Sequence, residues 1–434
     1  MVQIKPTGQY FHCYHLSTDS GNYLVNFRTN TVYRTSSDEP TWQDLDLEML
    51  IYHGVFDEFR YDVRRHQHYN PTTGTLLLTS YCNLACIYCY AENPDHHAMS
   101  FPMAKRAVDF LVKNAIAAGR QRIKIRFHGA GEPTLNWDVL VRTTEYARKA
   151  SQENGLDVHF SITTNGVMTD DERSWLGKHM QFVSLSFDGK SDTQNMQRPH
   201  PLLDTYEEVM ATLQALRQSE IPVLVQTTVT NNNVAEMAQW ASFLGEYGVH
   251  AVNFQPVSPS GRTMMNGVAD VDPSVFVANY LLAREAAEPL GINVVYSGLR
   301  HHGRDYYCGA YGSNFVVTPS GLVSTCYEVF ADRDDPPTVC LIGSVRDNEI
   351  IDDARVKGLW STSLLARKEC DGCFAEFHCA GGCLIRCFLT SDPRTRESAK
   401  KRCHLTRELL LAEYVRFLDK NRIEPGRVCS GPAL

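Results

Sequence analysis

The chain has 434 residues, a length that suits two or three domains of ordinary size. Hydrophobic residues make up 43% and charged residues 21%, a globular composition that excludes a mainly disordered, collagenous or coiled-coil chain. The formal net charge of −8 disfavours broad nucleic-acid binding, which normally needs a basic face. No apolar run approaches the ~20 residues of a membrane helix and residues 1–12 lack signal-peptide features, so we expect a cytoplasmic protein without membrane contacts.

The first 73 residues differ in pattern from the rest of the chain. Two short β-rich runs, residues 23–27 and 31–34, flank a turn-like segment and predict a hairpin, and residues 42–53 have the pattern of a helix. Two interpretations of residues 1–73 remain open. The segment is either a small domain that recognises a precursor or a strand pair that only extends the sheet of the next domain.

Between about residues 74 and 297 the sequence alternates between strand and helix patterns. The predicted strands cover residues 75–79, 122–127, 158–163, 182–187, 223–229 and 249–255, and the predicted helices cover residues 103–118, 137–152, 170–178, 205–219 and 234–247. Repeated strand–helix units predict a parallel sheet, because parallel strands need crossover connections. Since the motifs described below each follow a strand, as in barrel active sites, we predict an α/β fold with a partial (β/α)6 TIM-like barrel over residues 74–300.

The chain beyond residue 300 is rich in loops and cysteines. Five of the fourteen cysteines lie within residues 370–387. Clustered cysteines in a chain without an export signal indicate metal ligands rather than a disulfide framework. We predict a cysteine-rich domain over residues 301–425 that contains a helix at 405–421, followed by a tail over residues 426–434.

Cys82, Cys86 and Cys89 form a C-x3-C-x2-C motif directly after the first predicted strand of the barrel. Three thiolates on one loop can bind three irons of a [4Fe–4S] cluster, which leaves the fourth iron open to an exogenous chelator. A structural zinc ion is the alternative, but zinc prefers four ligands and this loop supplies three.

This motif, with an aromatic residue before its last cysteine, resembles the cluster-binding loop of the radical S-adenosylmethionine (SAM) superfamily. Residues 128–133, 163–166 and 186–189, with an Arg-Pro pair beyond them, resemble further motifs of that family at the expected strand ends. The resemblance implies that the following residues contact SAM: Tyr88, Gly129, Gly131, Glu132, Thr164, Asn165, Ser186 and Arg198. In this family the reduced cluster cleaves SAM, and the resulting 5′-deoxyadenosyl radical abstracts hydrogen from the substrate.

Several of the implied contacts have specific roles in the family, and Ser186 and Arg198 belong to the motifs that contact the ribose and the carboxylate of SAM. Tyr88 would stack near the adenine, and Glu132 would meet the methionyl ammonium. Ala130 departs from the usual Gly-Gly pair, a change that a negative φ at this position would tolerate.

The later cysteines resemble the SPASM domain, a C-terminal extension of radical SAM enzymes that carries two auxiliary iron–sulfur clusters. The match includes Gly321, five positions before the second cysteine of the pattern. It implies a distal cluster on Cys370, Cys373, Cys379 and Cys403, and a nearer cluster on Cys308, Cys326 and Cys383. The fourth ligand of the nearer cluster is left open between Cys340, Cys387 and no protein ligand, and a zinc ribbon is the alternative for residues 370–403.

The acid–base residue is the least defined part of the site. Sulfatase-maturing enzymes of the family have an aspartate directly after the second SPASM cysteine, where this chain has Tyr327 and then Glu328. We therefore take Glu328, Tyr327 and Asp188 as the candidate catalytic residues.

The resemblance implies a radical SAM/SPASM maturase that uses SAM and three [4Fe–4S] clusters. Its substrate would be a side chain of a ribosomally made precursor peptide, which it crosslinks or oxidises. It would need an external electron donor such as flavodoxin or ferredoxin. Two alternatives remain: oxidation of a Ser or Cys side chain in a protein, as in sulfatase maturation, and a non-catalytic iron–sulfur electron carrier.

Overall fold

A computed structural model describes residues 3–6, 13–35, 69–91, 96–299, 306–329, 338–362 and 370–432. The helix predicted at residues 42–53 lies outside the described residues.

The secondary structure within these ranges alternates between strands and helices along most of the chain. The strands are β1 Gln3–Pro6, β2 Cys13–Thr18, β3 Gly21–Asn26, β4 Thr31–Arg34, β5 Thr73–Leu77, β6 Arg122–His128, β7 Asp157–Thr164, β8 Phe182–Ser186, β9 Val223–Val229, β10 Ala251–Pro256, β11 Asn293–Val295, β12 Phe315–Val317, β13 Leu322–Ser324, β14 Leu341–Ser344 and β15 Val428–Ser430. The α-helices are α1 Phe101–Ala117, α2 Trp137–Glu153, α3 Asp170–His179, α4 Ser191–Gln197, α5 Thr205–Gln218, α6 Met237–Glu246, α7 Arg262–Met265, α8 Pro273–Ala287, α9 Asp353–Trp360, α10 Glu376–Cys379 and α11 Pro393–Lys420.

The main sheet has ten strands in the order β11-β10-β9-β8-β7-β6-β5-β12-β13-β14. Neighbouring strands from β5 to β11 are parallel, as the alternation of strands and helices predicts. The two ends of this order are β11 and β14, so the sheet forms a partial barrel. All six predicted barrel strands are present, and β11 is a seventh parallel strand that was not predicted.

Local sequence patterns account for the barrel elements. In β6, buried Ile123, Ile125 and Phe127 alternate with exposed residues, which is the pattern of a strand with one face in the core. Helix α3 begins with a capping box, in which the Thr169 side chain accepts from the Glu172 N–H while the Glu172 side chain reaches back. These signals hold the strand ends, and therefore the loops of the site, in defined positions.

The C-terminal cysteine-rich region continues the barrel sheet. Strand β12 pairs in parallel with β5, and β13 and β14 follow as antiparallel neighbours. The boundary predicted at residue 300 therefore falls between segments that share one sheet.

The N-terminal strands form a second, antiparallel sheet in the order β1-β2-β3-β4-β15. The predicted hairpin is confirmed, with Asn26 opposite Thr31 and Tyr23 opposite Arg34. The interpretation that this segment extends the barrel sheet is wrong, because the sheet is completed instead by β15 from the chain's last residues.

The second sheet packs on the C-terminal helix α11. The presence of α11 confirms the predicted closing helix, although α11 begins earlier in the chain than predicted. The ring of Phe27 lies 4.6 Å from that of Tyr414 on α11 and 5.2 Å from that of Phe374, which follows Cys373. The side chain of Asp392 caps α11 by accepting from the N–H groups of Arg394 and Thr395. The N-terminal sheet therefore supports the segment that carries the distal cysteines.

A search of the described residues for membrane-spanning segments finds no helix that is both long enough and apolar enough to cross a bilayer.

Candidate active site

The loop with the C-x3-C-x2-C motif follows β5 at the carboxyl end of the parallel sheet. Backbone hydrogen bonds fix it, with the Ala85 N–H donating to the Pro199 carbonyl oxygen at 2.9 Å. Burial, together with the neighbouring Cys89 thiolate, raises the pKa of Cys82 to about 11 and that of Cys86 to about 12. The three thiols therefore face one another, and a bound cluster would stabilise their thiolate forms.

The cysteine set suits a cluster better than a single metal ion. Across the described part of the chain, no three Cys, His, Asp or Glu side chains converge as the ligands of one ion would. The cysteine ligands of a [4Fe–4S] cluster bind different irons, so their sulfur atoms stand further apart than the ligands of one ion. The three ligands on this loop also fall short of the four that structural zinc prefers.

The turn after β6 rests directly on the cysteine loop. The Gly131 N–H donates to the Thr79 carbonyl oxygen at 2.9 Å, and the Glu132 N–H donates to that of Tyr81 at 2.8 Å. A Cβ at Gly131 would lie 1.9 Å from the Tyr81 carbonyl oxygen, and one at Gly129 would lie 1.4 Å from that of Gly131. Both glycines are therefore required by close backbone contact. Ala130 is not among the described residues with positive φ, so alanine is tolerated there.

Glu132 joins this turn to the turn after β7. Its buried carboxylate accepts from the Thr164 hydroxyl at 2.8 Å and the Asn165 N–H at 2.7 Å, and also from the N–H and hydroxyl of Thr134. Burial raises the pKa of Glu132, and these four donors oppose that rise. Asn165 in turn donates to the Asn83 side chain at 2.7 Å, so the network reaches the cysteine loop.

Asp188 organises the opposite side of the loop and is 1% exposed. It accepts from the Arg198 guanidinium at 3.0 and 3.2 Å, from Gln197 at 2.9 Å, from the Thr228 N–H at 2.9 Å and from the Tyr88 hydroxyl. The Arg198 guanidinium lies 5.4 Å from the centre of the Tyr88 ring. Asp188 therefore holds Arg198 and Tyr88 in place. Its oxygens are occupied by these bonds and it is not among the described residues that line the cavity, so proton transfer to it is not supported.

A cavity of about 610 Å³ connects the first cysteine loop with the second cysteine region. Its lining residues come from three parts of the chain: the cysteine loop, the carboxyl ends of the barrel strands and the C-terminal region. They include Cys86, Tyr88, Cys89, Tyr90, His128, Thr163, Ser186, Arg198, Gln226, Asn253, Gln255, Ser258, Cys308, Cys326, Tyr327, Glu328, Cys383, Arg386 and Arg402. Of the residues predicted to contact SAM, Tyr88, Ser186 and Arg198 line this cavity.

Three cysteines of the nearer auxiliary set, Cys308, Cys326 and Cys383, line the cavity, and Cys340 lies close to them. The Thr325 N–H donates to the Cys340 carbonyl oxygen at 2.9 Å, which places Cys340 beside Cys326. Burial, together with the thiolates of Cys308 and Cys383, raises the pKa of Cys340 to about 12. The pKa of Cys326 is raised by burial, by Glu328 and then by Cys340 and Cys383.

Cys387 lies with the distal set instead. Burial raises the pKa of Cys379, and the thiolates of Cys403, Cys387, Cys370 and Cys373 raise it further. Of the alternatives left open for the fourth ligand of the nearer cluster, the structure brings Cys340 to that set and Cys387 to the other.

Two of the three candidate catalytic residues line the cavity. The Tyr327 ring stacks on His128 with 5.1 Å between ring centres, and burial lowers the pKa of His128. Glu328 accepts two hydrogen bonds from the Arg386 guanidinium, at 2.7 and 3.1 Å. This bidentate contact orients the Glu328 carboxylate beside the nearer cysteine set.

Sequence reasoning missed several polar residues of the cavity. Gln226, Asn253 and Gln255 come from β9 and β10, and polar residues near the ends of otherwise apolar strands were an available signal for them. No local sequence pattern indicates that Arg386 and Arg402 line the cavity, because their positions depend on how the C-terminal region packs on the barrel.

The fold and the site fit an enzyme that would hold an iron–sulfur cluster on the cysteine loop, at the carboxyl ends of the parallel strands. Residues 76–244 match the family model of the Radical SAM superfamily. The chain therefore contains a radical SAM domain and is an enzyme that uses SAM, and the residues of its first cysteine loop fit the [4Fe–4S] cluster and SAM that this family uses.

Relatives and solved structures extend the likeness beyond that domain. The serine-type anaerobic sulfatase-maturating enzyme of Klebsiella aerogenes is 24% identical over 324 residues, which cover 70% of this chain and 76% of that protein. The structure of anSMEcpe with bound AdoMet and Kp18Cys peptide has a TM-score of 0.62 at 19% identity, covering 79% of this chain and 99% of that one. Streptococcus suis SuiB bound to precursor peptide SuiA has a TM-score of 0.54 at 14% identity, covering 91% and 98%. At these identities the two structures show a common fold.

Proposed function

We propose that this enzyme is a maturase that crosslinks or oxidises a side chain of a ribosomally made precursor peptide. The observation that carries the proposal is the cavity shared by Cys86, Cys89, Cys308, Cys326 and Cys383. A substrate in this cavity would lie between the site of radical formation and a second set of cysteines.

The proposal includes two auxiliary [4Fe–4S] clusters in addition to the SAM-binding one. The nearer would be held by Cys308, Cys326, Cys340 and Cys383, and the distal by Cys370, Cys373, Cys379 and Cys403, whose mutual proximity supports this division. When bound, SAM and the reduced first cluster would supply a 5′-deoxyadenosyl radical for hydrogen abstraction, and an oxidised auxiliary cluster would accept the electron that oxidation of the substrate releases.

The chain's own residues would orient the reactants and take up the proton. Asp188 fixes Arg198 and Tyr88 at the SAM side of the cavity, and Glu132 fixes the turn that carries Asn165. Oxidation of a side chain also releases a proton. We assign its uptake to Glu328, which lines the cavity and is oriented by its two bonds to Arg386.

The N-terminal sheet would bind the leader part of the precursor. Among the described strands, its end strand β1 pairs with β2 alone, so an extended peptide can add at the other edge as a further strand. In this proposal the functional units are the recognition segment 1–73, the barrel 74–300, the auxiliary-cluster domain 301–425 and the tail 426–434.

An external one-electron donor such as flavodoxin or ferredoxin would reduce the first cluster. A reducing compartment, the cytoplasm, suits chains that depend on cysteine thiolates and iron–sulfur clusters.

The relatives support a peptide substrate. The similar structures include anSMEcpe with a bound Kp18Cys peptide and SuiB bound to precursor peptide SuiA. Sulfatase maturation remains the second candidate, because the Klebsiella enzyme spans most of this chain. Tyr327 and Glu328 stand where sulfatase-maturing enzymes have an aspartate, which counts against it.

Deuterium transfer tests this function. The reduced holoenzyme would be incubated with SAM and a fully deuterated short peptide encoded beside this chain's gene. We expect deuterium in the 5′-deoxyadenosine and a loss of mass from the peptide that matches the hydrogens removed. The control is the variant with all three cysteines of the first loop replaced by alanine, which should transfer none. Oxidation of a sulfatase-derived Ser or Cys peptide, with the precursor peptide left unchanged, would favour the second candidate.

A further inference from the structure

Three buried polar atoms in the cavity wall have no hydrogen-bond partner among the described residues. They are the side-chain oxygen of Asn253, the hydroxyl of Ser258 and the Nε of Arg402. Asn253 and Ser258 are buried, and each residue is only 7% exposed. Buried polar groups are nearly always paired in native proteins, so three unpaired ones in a single cavity indicate a ligand that pairs them.

These atoms belong to one section of the wall, at the end of β10. Asn253 lies within β10, and Ser258 lies two residues past its end. Arg402, from helix α11, donates from Nη2 to the Pro256 carbonyl oxygen at 2.9 Å. Since Pro256 stands between Asn253 and Ser258 in the chain, this bond brings the guanidinium to the same section.

Arg402 also differs from the other arginines of the cavity in its charge environment. Arg198 is paired with Asp188, and Arg386 is paired with Glu328. In the described part of the chain, the polar contact of Arg402 is the neutral Pro256 carbonyl, and its Nε–H remains available. The β10 wall therefore presents a positive charge that an anionic ligand group would complement.

We propose that Arg402, Ser258 and Asn253 form a subsite for a carboxylate of the peptide substrate. The Arg402 Nε–H and the Ser258 hydroxyl donate to the carboxylate, and the Asn253 side-chain oxygen accepts an N–H of the substrate backbone. The inference rests on the proposed function and adds a specificity to it. The substrate presents an Asp or Glu side chain, or a C-terminal carboxylate, next to the residue that is modified.

SAM carries a carboxylate of its own, so the test must separate the two ligands. The SAM carboxylate was assigned by resemblance to the region of Ser186 and Arg198, which belong to β8 and the segment that follows it. A substrate subsite on β10 predicts that changes at Arg402 or Ser258 affect peptide binding and not SAM binding.

Binding of matched peptide pools to the SAM-saturated holoenzyme tests the subsite. The pools are capped tripeptides of the form X-Glu-X and X-Gln-X, and X-X-X with a free C-terminal carboxylate, where X is randomised over residues other than Asp and Glu. We expect the wild type to bind the Glu pool or the free-carboxylate pool at least about tenfold more tightly than the Gln pool, and the comparison identifies which carboxylate is recognised. Arg402→Gln should abolish the preference, and Ser258→Ala should reduce it several-fold.

The controls exclude a folding effect. Arg394→Gln changes an exposed arginine on the same helix that pairs with Asp392, and it should keep the wild-type preference. Ser258→Ala removes no side-chain hydrogen bond from the described structure, so it keeps the test valid if Arg402→Gln loses iron or thermal stability.

Two results would overturn the subsite. One is equal binding of all three pools, or no binding, by the wild type. The other is a loss of SAM affinity in Arg402→Gln or Ser258→Ala that matches the loss of peptide affinity. If the enzyme still modifies the precursor peptide, these results refute the subsite alone, whereas a failure to modify any peptide refutes the proposed function.

Discussion

At Gly131 the backbone of the turn after β6 lies in close contact with the backbone of the cysteine loop, and Gly131→Ala tests that contact. A Cβ there would lie 1.9 Å from the Tyr81 carbonyl oxygen and 2.7 Å from the Ser80 carbonyl carbon, so backbone must move. Overpacking of this kind costs about 1–3 kcal/mol. The movement also breaks the bonds from Gly131 to Thr79 and from Glu132 to Tyr81, each worth about 0.5–1.5 kcal/mol. We expect the free energy of unfolding to fall by about 2–6 kcal/mol.

Tyr81 directly precedes Cys82, so the same movement should displace the first cysteine ligand. The assay is chemical denaturation together with iron content and 5′-deoxyadenosine formation, and we expect Gly131→Ala to lose the first cluster. The matched control is Ala130→Gly, which removes one buried methyl group and should cost only about 1–2 kcal/mol with iron content unchanged. If Gly131→Ala keeps wild-type iron and SAM cleavage, the turn does not support the cluster loop.

Three further predictions concern the clusters and the buried ion pair. Replacing all three cysteines of the first loop by alanine should abolish SAM cleavage and leave about two-thirds of the iron, and a loss of nearly all iron would contradict the assignment of three clusters. Cys340→Ala should alter the electron paramagnetic resonance signal of the nearer cluster, whereas Cys387→Ala should not; the reverse would exchange their roles. Asp188→Asn removes the carboxylate that pairs with buried Arg198, so the free energy of unfolding should fall by about 3–5 kcal/mol. The control Glu236→Gln breaks an exposed pair and should lower it by less than about 1 kcal/mol. Equal losses in the two variants would contradict this account.

The barrel was largely predictable from the sequence because its signals are local. Apolar runs, helix periodicity and the motifs after each strand depend on neighbouring residues, so the six predicted strands and the first cysteine loop agree with the structure. Strand β11 was missed because Asn293–Val295 is three residues long and gives a weak pattern.

What the sequence could not predict are contacts between distant segments. The pairing of β4 with β15 joins residues at opposite ends of the chain, and no local pattern indicates it. The same limit applied to Cys340 and Cys387, which sequence spacing could not assign to either auxiliary set. Cys340 reaches the nearer set because the β13–β14 hairpin brings it opposite Thr325.

The N-terminal sheet also shows why a truncation is a poor test of leader recognition. Tyr23 and Phe27 are buried in the same cluster as Leu410 and Tyr414 of α11, so removal of the sheet would expose a core shared with the cysteine-rich region.

Anaerobic cleavage of SAM by the reduced holoenzyme tests the central claim most directly. Protein that carries about twelve irons, the content of three [4Fe–4S] clusters, should convert SAM to methionine and 5′-deoxyadenosine over repeated turnovers. The formation of no 5′-deoxyadenosine by such protein would contradict the assignment of a radical SAM enzyme and leave an electron carrier as the remaining interpretation.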